Sequence, residues 1–348
     1  MALTQVYGII NSMNGTGLEI STTGWLVTIG LIVGLLALDL ALAAARPHAV
    51  GFKEAVAWSV FYIAVAIVFG LVFAAQAGGE FGTQYFAGYI VEKSLSVDNL
   101  FVFVIIMTTF AVPEAYQHKA LTFGIITALV MRAIFIAVGA ALLKLFSFMF
   151  LIFGLLLIFT AIQLFRHRNE DPSVEDNALV KLTRRVIPVT TEYVGGKLFT
   201  RANGRRLATP LFIVLVAIGS SDLLFALDSI PAVFGVTEEA YIVFVANAFA
   251  LLGLRALYFL VKGLLDRLVY LSAGLALILA FIGAKLVLHY GHTLNDRVPE
   301  IHTNVSLVVI LVVLVVTTVA SLIKVRRDPS LRAHPGSLRG HDNDPPRA

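Results

Sequence analysis

At 348 residues, 58% hydrophobic and only 14% charged, with a mean hydropathy of +0.88, the chain is not an ordinary soluble globule, which carries about a quarter charged residues. Its net charge of +4 does not point to nucleic acid, because the basic residues fall mostly in loops between apolar segments, where membrane orientation requires them. There is no cysteine, and the eight histidines (48, 118, 167, 289, 292, 302, 334 and 341) avoid mid-span positions. Any metal site inside the membrane must then be built from oxygen, a ligand set that suits manganese, magnesium or calcium.

Residues 1–23 hold no Lys or Arg, so the basic start of a cleavable signal peptide is missing and the first apolar segment is expected to be retained. Residues 1–23 are expected outside the cytoplasm. Nine apolar stretches of spanning length follow, at about 24–45, 55–76, 85–110, 119–142, 145–165, 209–230, 239–261, 268–288 and 304–323. They define an all-α polytopic membrane protein with one transmembrane domain over 24–325. Arg46 and Lys53 follow the first span, Lys119 opens the fourth, and Lys324, Arg326 and Arg327 follow the ninth, whereas loops 77–84 and 231–238 carry no Lys or Arg. The positive-inside rule gives an outside N-terminus and an inside C-terminus. Loop 166–208 has nine basic residues against five acidic ones. It is expected in the cytoplasm, with room for a short amphipathic helix. The tail, 326–348, is rich in Pro, Gly, His and Arg and is expected to be disordered and cytoplasmic.

Two stretches match each other: Ser96-Val97-Asp98-Asn99-Leu100-Phe101 and Ser220-Ser221-Asp222-Leu223-Leu224-Phe225. Aligning Asp98 with Asp222 also puts Phe110 on Phe234, Val112 on Val236, Glu114 on Glu238 and Gly139 on Gly263, and brings Arg132 within one residue of Arg255. One copy covers about 85–165 and the other about 209–288. Three spans per copy is an odd number, so the copies enter the membrane from opposite sides. Such inverted repeats place substrate sites near the midplane, between the copies.

A charge at the bilayer centre costs about 3 kcal/mol on insertion scales, so a mid-span carboxylate marks a site by default. Asp98 and Asp222 lie near the centres of their spans. Asn99 and Ser96 add neutral oxygens beside one, and Ser220 and Ser221 beside the other. Together they make a hard-cation donor set. Arg132 and Arg255 are the obvious counter-charges if the aspartates are structural instead. Glu92 precedes Asp98 by six residues and Asp228 follows Asp222 by six. Because the helices run oppositely, both second carboxylates fall about 9 Å outward of the central pair, and about 120° from it around the helix axis. Pro231 could break this arrangement or end the helix. Asp39 is equally able to pair with a basic residue or to serve transport, and Asn247 is favoured as interhelical packing. Phosphate-loop, His-Glu-x-x-His and Gly-x-Ser-x-Gly motifs are absent, so no enzyme is indicated and no cofactor is expected.

The run Val91-Glu92-Lys93-Ser94-Leu95-Ser96-Val97-Asp98-Asn99-Leu100-Phe101-Val102-Phe103, with Phe110-Ala111-Val112-Pro113 after it, closely resembles the TerC family of integral membrane proteins. So does Asp222-Leu223-Leu224-Phe225-Ala226-Leu227-Asp228-Ser229-Ile230-Pro231-Ala232, and the likeness runs from about residue 20 to 325. The family is named for tellurium resistance, and members are described as manganese exporters and as partners in loading metal onto exported enzymes. The resemblance nominates Glu92, Asp98, Asn99, Asp222 and Asp228 as the functional acidic motif. Gly219 departs from the family, whose second signature often has an acidic residue there.

The reading is a bacterial inner-membrane exporter of a divalent cation, Mn2+ first, with Asp98, Asp222, Asp228, Glu92, Asn99, Ser96 and Ser221 as metal residues and protons as a candidate counter-ion. Its expected partners are the lipid bilayer and the metal ion, with self-association or other membrane proteins left open. The alternative is a membrane scaffold in tellurium resistance or metal loading, acting through loop 166–208.

Overall fold

The computed structural model describes residues 18, 20–45, 52–166, 178–190, 192–202, 205–262 and 270–327. The expected extracytoplasmic segment up to residue 17, Gly263 and the tail beyond Arg327 lie outside them. Among the described residues the chain forms α1 (Thr22–Ala45), α2 (Phe52–Ala77), α3 (Gly79–Thr109), α4 (Glu114–Leu145), α5 (Met149–Arg166), α6 (Ala178–Val186), β1 (Phe199–Ala202), β2 (Arg205–Ala208), α7 (Pro210–Phe234), α8 (Ala240–Leu251), α9 (Leu254–Lys262), α10 (Leu271–Leu294) and α11 (Thr303–Arg327).

Lipid offers backbone N–H and C=O groups no partner, so a spanning segment satisfies its own as a helix. Seven of these helices are long and apolar enough to cross a membrane: α1, α2, α4, α5, α7, α10 and α11. The pair α8 and α9, bent by 44° at a break, meets the same test when taken together, as a broken span or a re-entrant loop. The sequence led us to expect one continuous helix over 239–261. Instead Leu252 turns out of α8 in an extended conformation, and Gly253 adopts φ +77, a region that only glycine enters without strain. Helix α3 is 31 residues long, but Glu92, Lys93 and Asp98 interrupt its apolar character. Pro231 neither breaks nor ends α7, which continues to Phe234.

Loop 166–208 contains the expected short helix, α6, and an unexpected hairpin in which Phe199 pairs with Ala208 and Ala202 with Arg205. It is tied to the turn between α3 and α4. The Tyr193 hydroxyl donates to the Phe110 carbonyl (2.7 Å), and Lys119 Nζ donates to the Gly196 carbonyl (2.6 Å).

The interior lies among α3, α4, α7, α8 and α10, whereas α1, α2 and α11 turn apolar side chains such as Leu26, Leu71 and Val315 outward. Helix α3 packs against α8, α4 against α7, and α5 against α10. The last crossing is closest at two glycines. A Cβ at Gly154 would lie 2.8 Å from the Gly283 carbonyl oxygen, and a Cβ at Gly283 would lie 2.8 Å from that of Gly154. Small residues let helix backbones approach in this way. Gly154→Val is therefore expected to force α5 off α10, an overpacking cost of about 1–3 kcal/mol, read as a lower unfolding temperature of the purified protein in detergent.

Candidate functional site: a buried guanidinium among carboxylates

Arg132 projects from the middle of α4 and is wholly buried. Helix geometry brings three acceptors to it. On α3, Glu92 and Asn99 are seven residues apart and so share one face. Glu92 Oε1 pairs with Arg132 Nη1, and the Asn99 amide, which donates to the Leu95 carbonyl (3.0 Å), accepts from Arg132 Nη2 at 3.1 Å. From α7, Asp222 Oδ1 approaches Nη2 at 3.5 Å. Glu92 and Asp222 are 0% and 3% exposed, so neither can be solvated in place of pairing.

The structure thus joins Glu92, Asn99 and Asp222 through a residue expected only as a counter-charge. Asp98 stands apart. It points about 120° around α3 from Glu92, is half-buried, and among the described residues has no hydrogen bond or ion pair. Asp228 also stands apart, its Oδ1 accepting from the Thr160 hydroxyl of α5 (2.9 Å). Ser96 is buried beside the cluster with its Oγ unbonded, while Ser221 is buried on α7 without joining it. Among the described residues no three Asp, Glu or His side chains converge as a metal shell.

Several buried polar atoms lack a hydrogen-bond partner: Asp222 Oδ2, Ser96 Oγ, Ser229 Oγ and both amide atoms of Asn247. Each such atom costs about 1–3 kcal/mol if nothing pairs with it, which makes them candidate ligand contacts. Ser229 follows Asp222 by seven residues and faces the same way, a spacing that was legible. Asn247, expected in interhelical packing, is buried in α8 with neither amide atom hydrogen-bonded. Thr160 carried no signal in the sequence. Asp39, by contrast, is a closed pair: it accepts from Arg255 Nη2 (2.9 Å) and the Tyr62 hydroxyl (3.1 Å).

A cavity of about 680 Å³ opens where α3 and α8 begin and α7 and α10 end, lined by Glu80, Glu238, Glu239, Glu300, His289 and His302 among others. Burial pushes the Glu239 carboxyl above the usual glutamate range. Glu92 and Asp228 lie on the cavity side of Asp98 and Asp222 along their helices.

These features define a polytopic helical membrane protein with a charged core between its central helices. The sequence profile of the Integral membrane protein TerC family matches residues 77–329, and the chain belongs to that family. It is 44% identical over 306 residues to an uncharacterized membrane protein of Myxococcus xanthus, covering 88% of this chain and 94% of that one. An uncharacterized membrane protein of Mycobacterium tuberculosis is 44% identical over 312 residues, 85% of this chain and 78% of its own. The chloroplastic thylakoid membrane protein TERC of Arabidopsis thaliana is 44% identical over 228 residues, 66% of this chain and 59% of that one. No solved structure matches.

Removing one partner of a buried ion pair costs about 3–5 kcal/mol, because the other charge is left uncompensated. Arg132→Ala should accordingly lose most of its folded, monodisperse protein on detergent extraction. Adding Glu92→Gln to the same chain should recover part of it. Recovery measured by size-exclusion profile checks the coupling.

Proposed function

We propose that the protein exports a divalent metal cation, Mn2+ first, across a bacterial inner membrane through the acidic core. The observation that carries the reading is a charge balance. Apart from the closed Asp39–Arg255 pair, the middle turns of α3, α4 and α7 hold four carboxylates (Glu92, Asp98, Asp222 and Asp228) against the two cations Arg132 and Lys93, while Lys285 of α10 lines the cavity with Glu238 and Glu300. With all of them ionised, the surplus is two negative charges, the charge of one divalent ion. The donors are carboxylate, amide and hydroxyl oxygens, which favour Mn2+ over softer metals.

In this reading Asp98 and Asp222 take the metal, with Asn99, Ser96 and Ser221 as neutral helpers. Asp228 and Glu92 lead it toward the acidic cavity, with protons returning the other way. Helix α3 is then the ninth span, and the loops without Lys or Arg at 77–84 and 231–238 face outward with the cavity. The inverted repeat is supported by reciprocal packing: the first helix of each copy meets the second of the other (α3 with α8, α4 with α7), and the third helices meet each other (α5 with α10). A twofold relation between copies requires that reciprocity.

The scaffold reading rests on loop 166–208, whose α6 exposes Leu182 and Val186 beside basic residues. Replacing α6 and the hairpin with a neutral linker separates the two readings, since an exporter keeps most of its activity and a scaffold loses it.

Export is tested by cell manganese content in a bacterial strain without its own exporters, at matched membrane expression. The native chain should lower cell manganese, and Asp98→Asn and Asp222→Asn should each abolish the effect. If all three leave manganese unchanged, the export reading fails.

A further inference from the structure

The break between α8 and α9 is a place where the membrane interior meets bare backbone. The chain leaves α8 at Leu252, whose N–H still bonds the Ala248 carbonyl, so the carbonyls after Ala248 have no helical amide to accept from. These groups also form the negative end of the α8 dipole. Lipid cannot satisfy them. What reaches them is a charge: Lys93 Nζ, from the centre of α3, donates to the Ala250 carbonyl at 3.1 Å.

Lys93 pairs with no carboxylate among the described residues. Its neighbour Glu92 points to Arg132 instead, and the Asp39 carboxylate across the break is taken by Arg255 and Tyr62. The gap is rigidly framed as well. A Cβ at Gly253 would lie 2.6 Å from the Tyr62 ring, so Tyr62 fills the space beside the turn. An ammonium held by carbonyl oxygen at the C-terminal end of a half-helix matches, in charge and ligand type, a monovalent alkali cation bound at a broken transporter helix.

We propose that the gap between α8 and α9 is a monovalent-cation site whose occupant is built in, the Lys93 ammonium standing where a sodium-sized ion would otherwise bind. Lys93 also enters the charge balance of the acidic core, but its contact with the Ala250 carbonyl does not depend on the export reading. Lys93 is a positioning residue here: its charge holds the broken helix in shape, so the protein needs no free alkali ion to do so.

The test is thermal unfolding of the purified full chain in detergent, followed by tryptophan fluorescence, in sodium, potassium or choline chloride at one ionic strength. The native protein should unfold at the same temperature in all three salts. Lys93→Ala should unfold at least about 3 °C lower in choline chloride, and sodium or potassium should restore it saturably. Lys93→Gln, which keeps an N–H donor without the charge, should behave in the same way and covers the case in which the alanine variant does not fold. If Lys93→Gln is as stable as the native chain in choline chloride, the charge is dispensable and the proposal falls. It falls equally if the folded variants are destabilised by the same amount in all three salts. Manganese plays no part in this readout, so failure of export would leave the result intact.

Discussion

The Arg132 guanidinium is the constraint around which the central helices are arranged. A guanidinium in the interior of a membrane protein is tolerated only with carboxylates and amides at its donors, and those must come from outside α4. Glu92 and Asn99 can both reach it only if α3 presents the face carrying every seventh residue. Asp222 can reach it only if α7 crosses at the same depth. Pairing this guanidinium therefore fixes the rotation of α3 and the depth of α7 relative to α4. The apolar packing around them, including Leu100, Phe103 and Ile218, has little directional preference of its own, because apolar contacts distinguish poorly between neighbouring rotations in lipid.

The same requirement is met differently near the other arginine. On the repeat reading Arg255 falls within one residue of Arg132, yet it sits in the first turn of a half-helix, where the dipole disfavours a cation. Asp39 offsets that by pairing with it, and Tyr62 completes the carboxylate's shell. One arginine is thus locked to a carboxylate from outside the repeat, and the other is shared among residues of both copies. Helix α4 runs unbroken through 32 residues, whereas its counterpart is split at Gly253. On the repeat reading, the two copies pack reciprocally and differ in their charges, so a symmetric frame would hold one asymmetric site.

Much of this was legible in the sequence. Spanning helices announce themselves by length and apolarity, and mid-span charges stand out because they are costly. The helical period also gave the angle between Glu92 and Asp98, and the structure places them on separate faces. What could not be read was which acid would take which base. Arg132 chooses Glu92 and Asp222 over Asp98 because of helix rotation and depth, quantities that periodicity leaves free. The break at Leu252 was hidden for a related reason: Leu251-Leu252-Gly253-Leu254 is as apolar as any helix interior, and one glycine in a membrane helix is common. The Tyr62 ring packs against Gly253 at the turn, and that partner lies 191 positions away along the chain.

On the export reading, these pairings also shape how a metal could pass. A divalent ion that reaches Asp222 meets a carboxylate with one oxygen toward Arg132 and the other unbonded. It can bind the free oxygen before the guanidinium lets go, and Asn99 and Glu92 retain Arg132 as it withdraws. Arg132 would then keep a carboxylate beside it, which matters because an unpaired buried charge is costly. Asp98, on a separate face of α3 with no arginine paired to it, would on this reading offer its carboxylate at a separate point of the path. On the export reading, the ion would meet one aspartate contested by an arginine and one free of it, the first favouring release and the second retention.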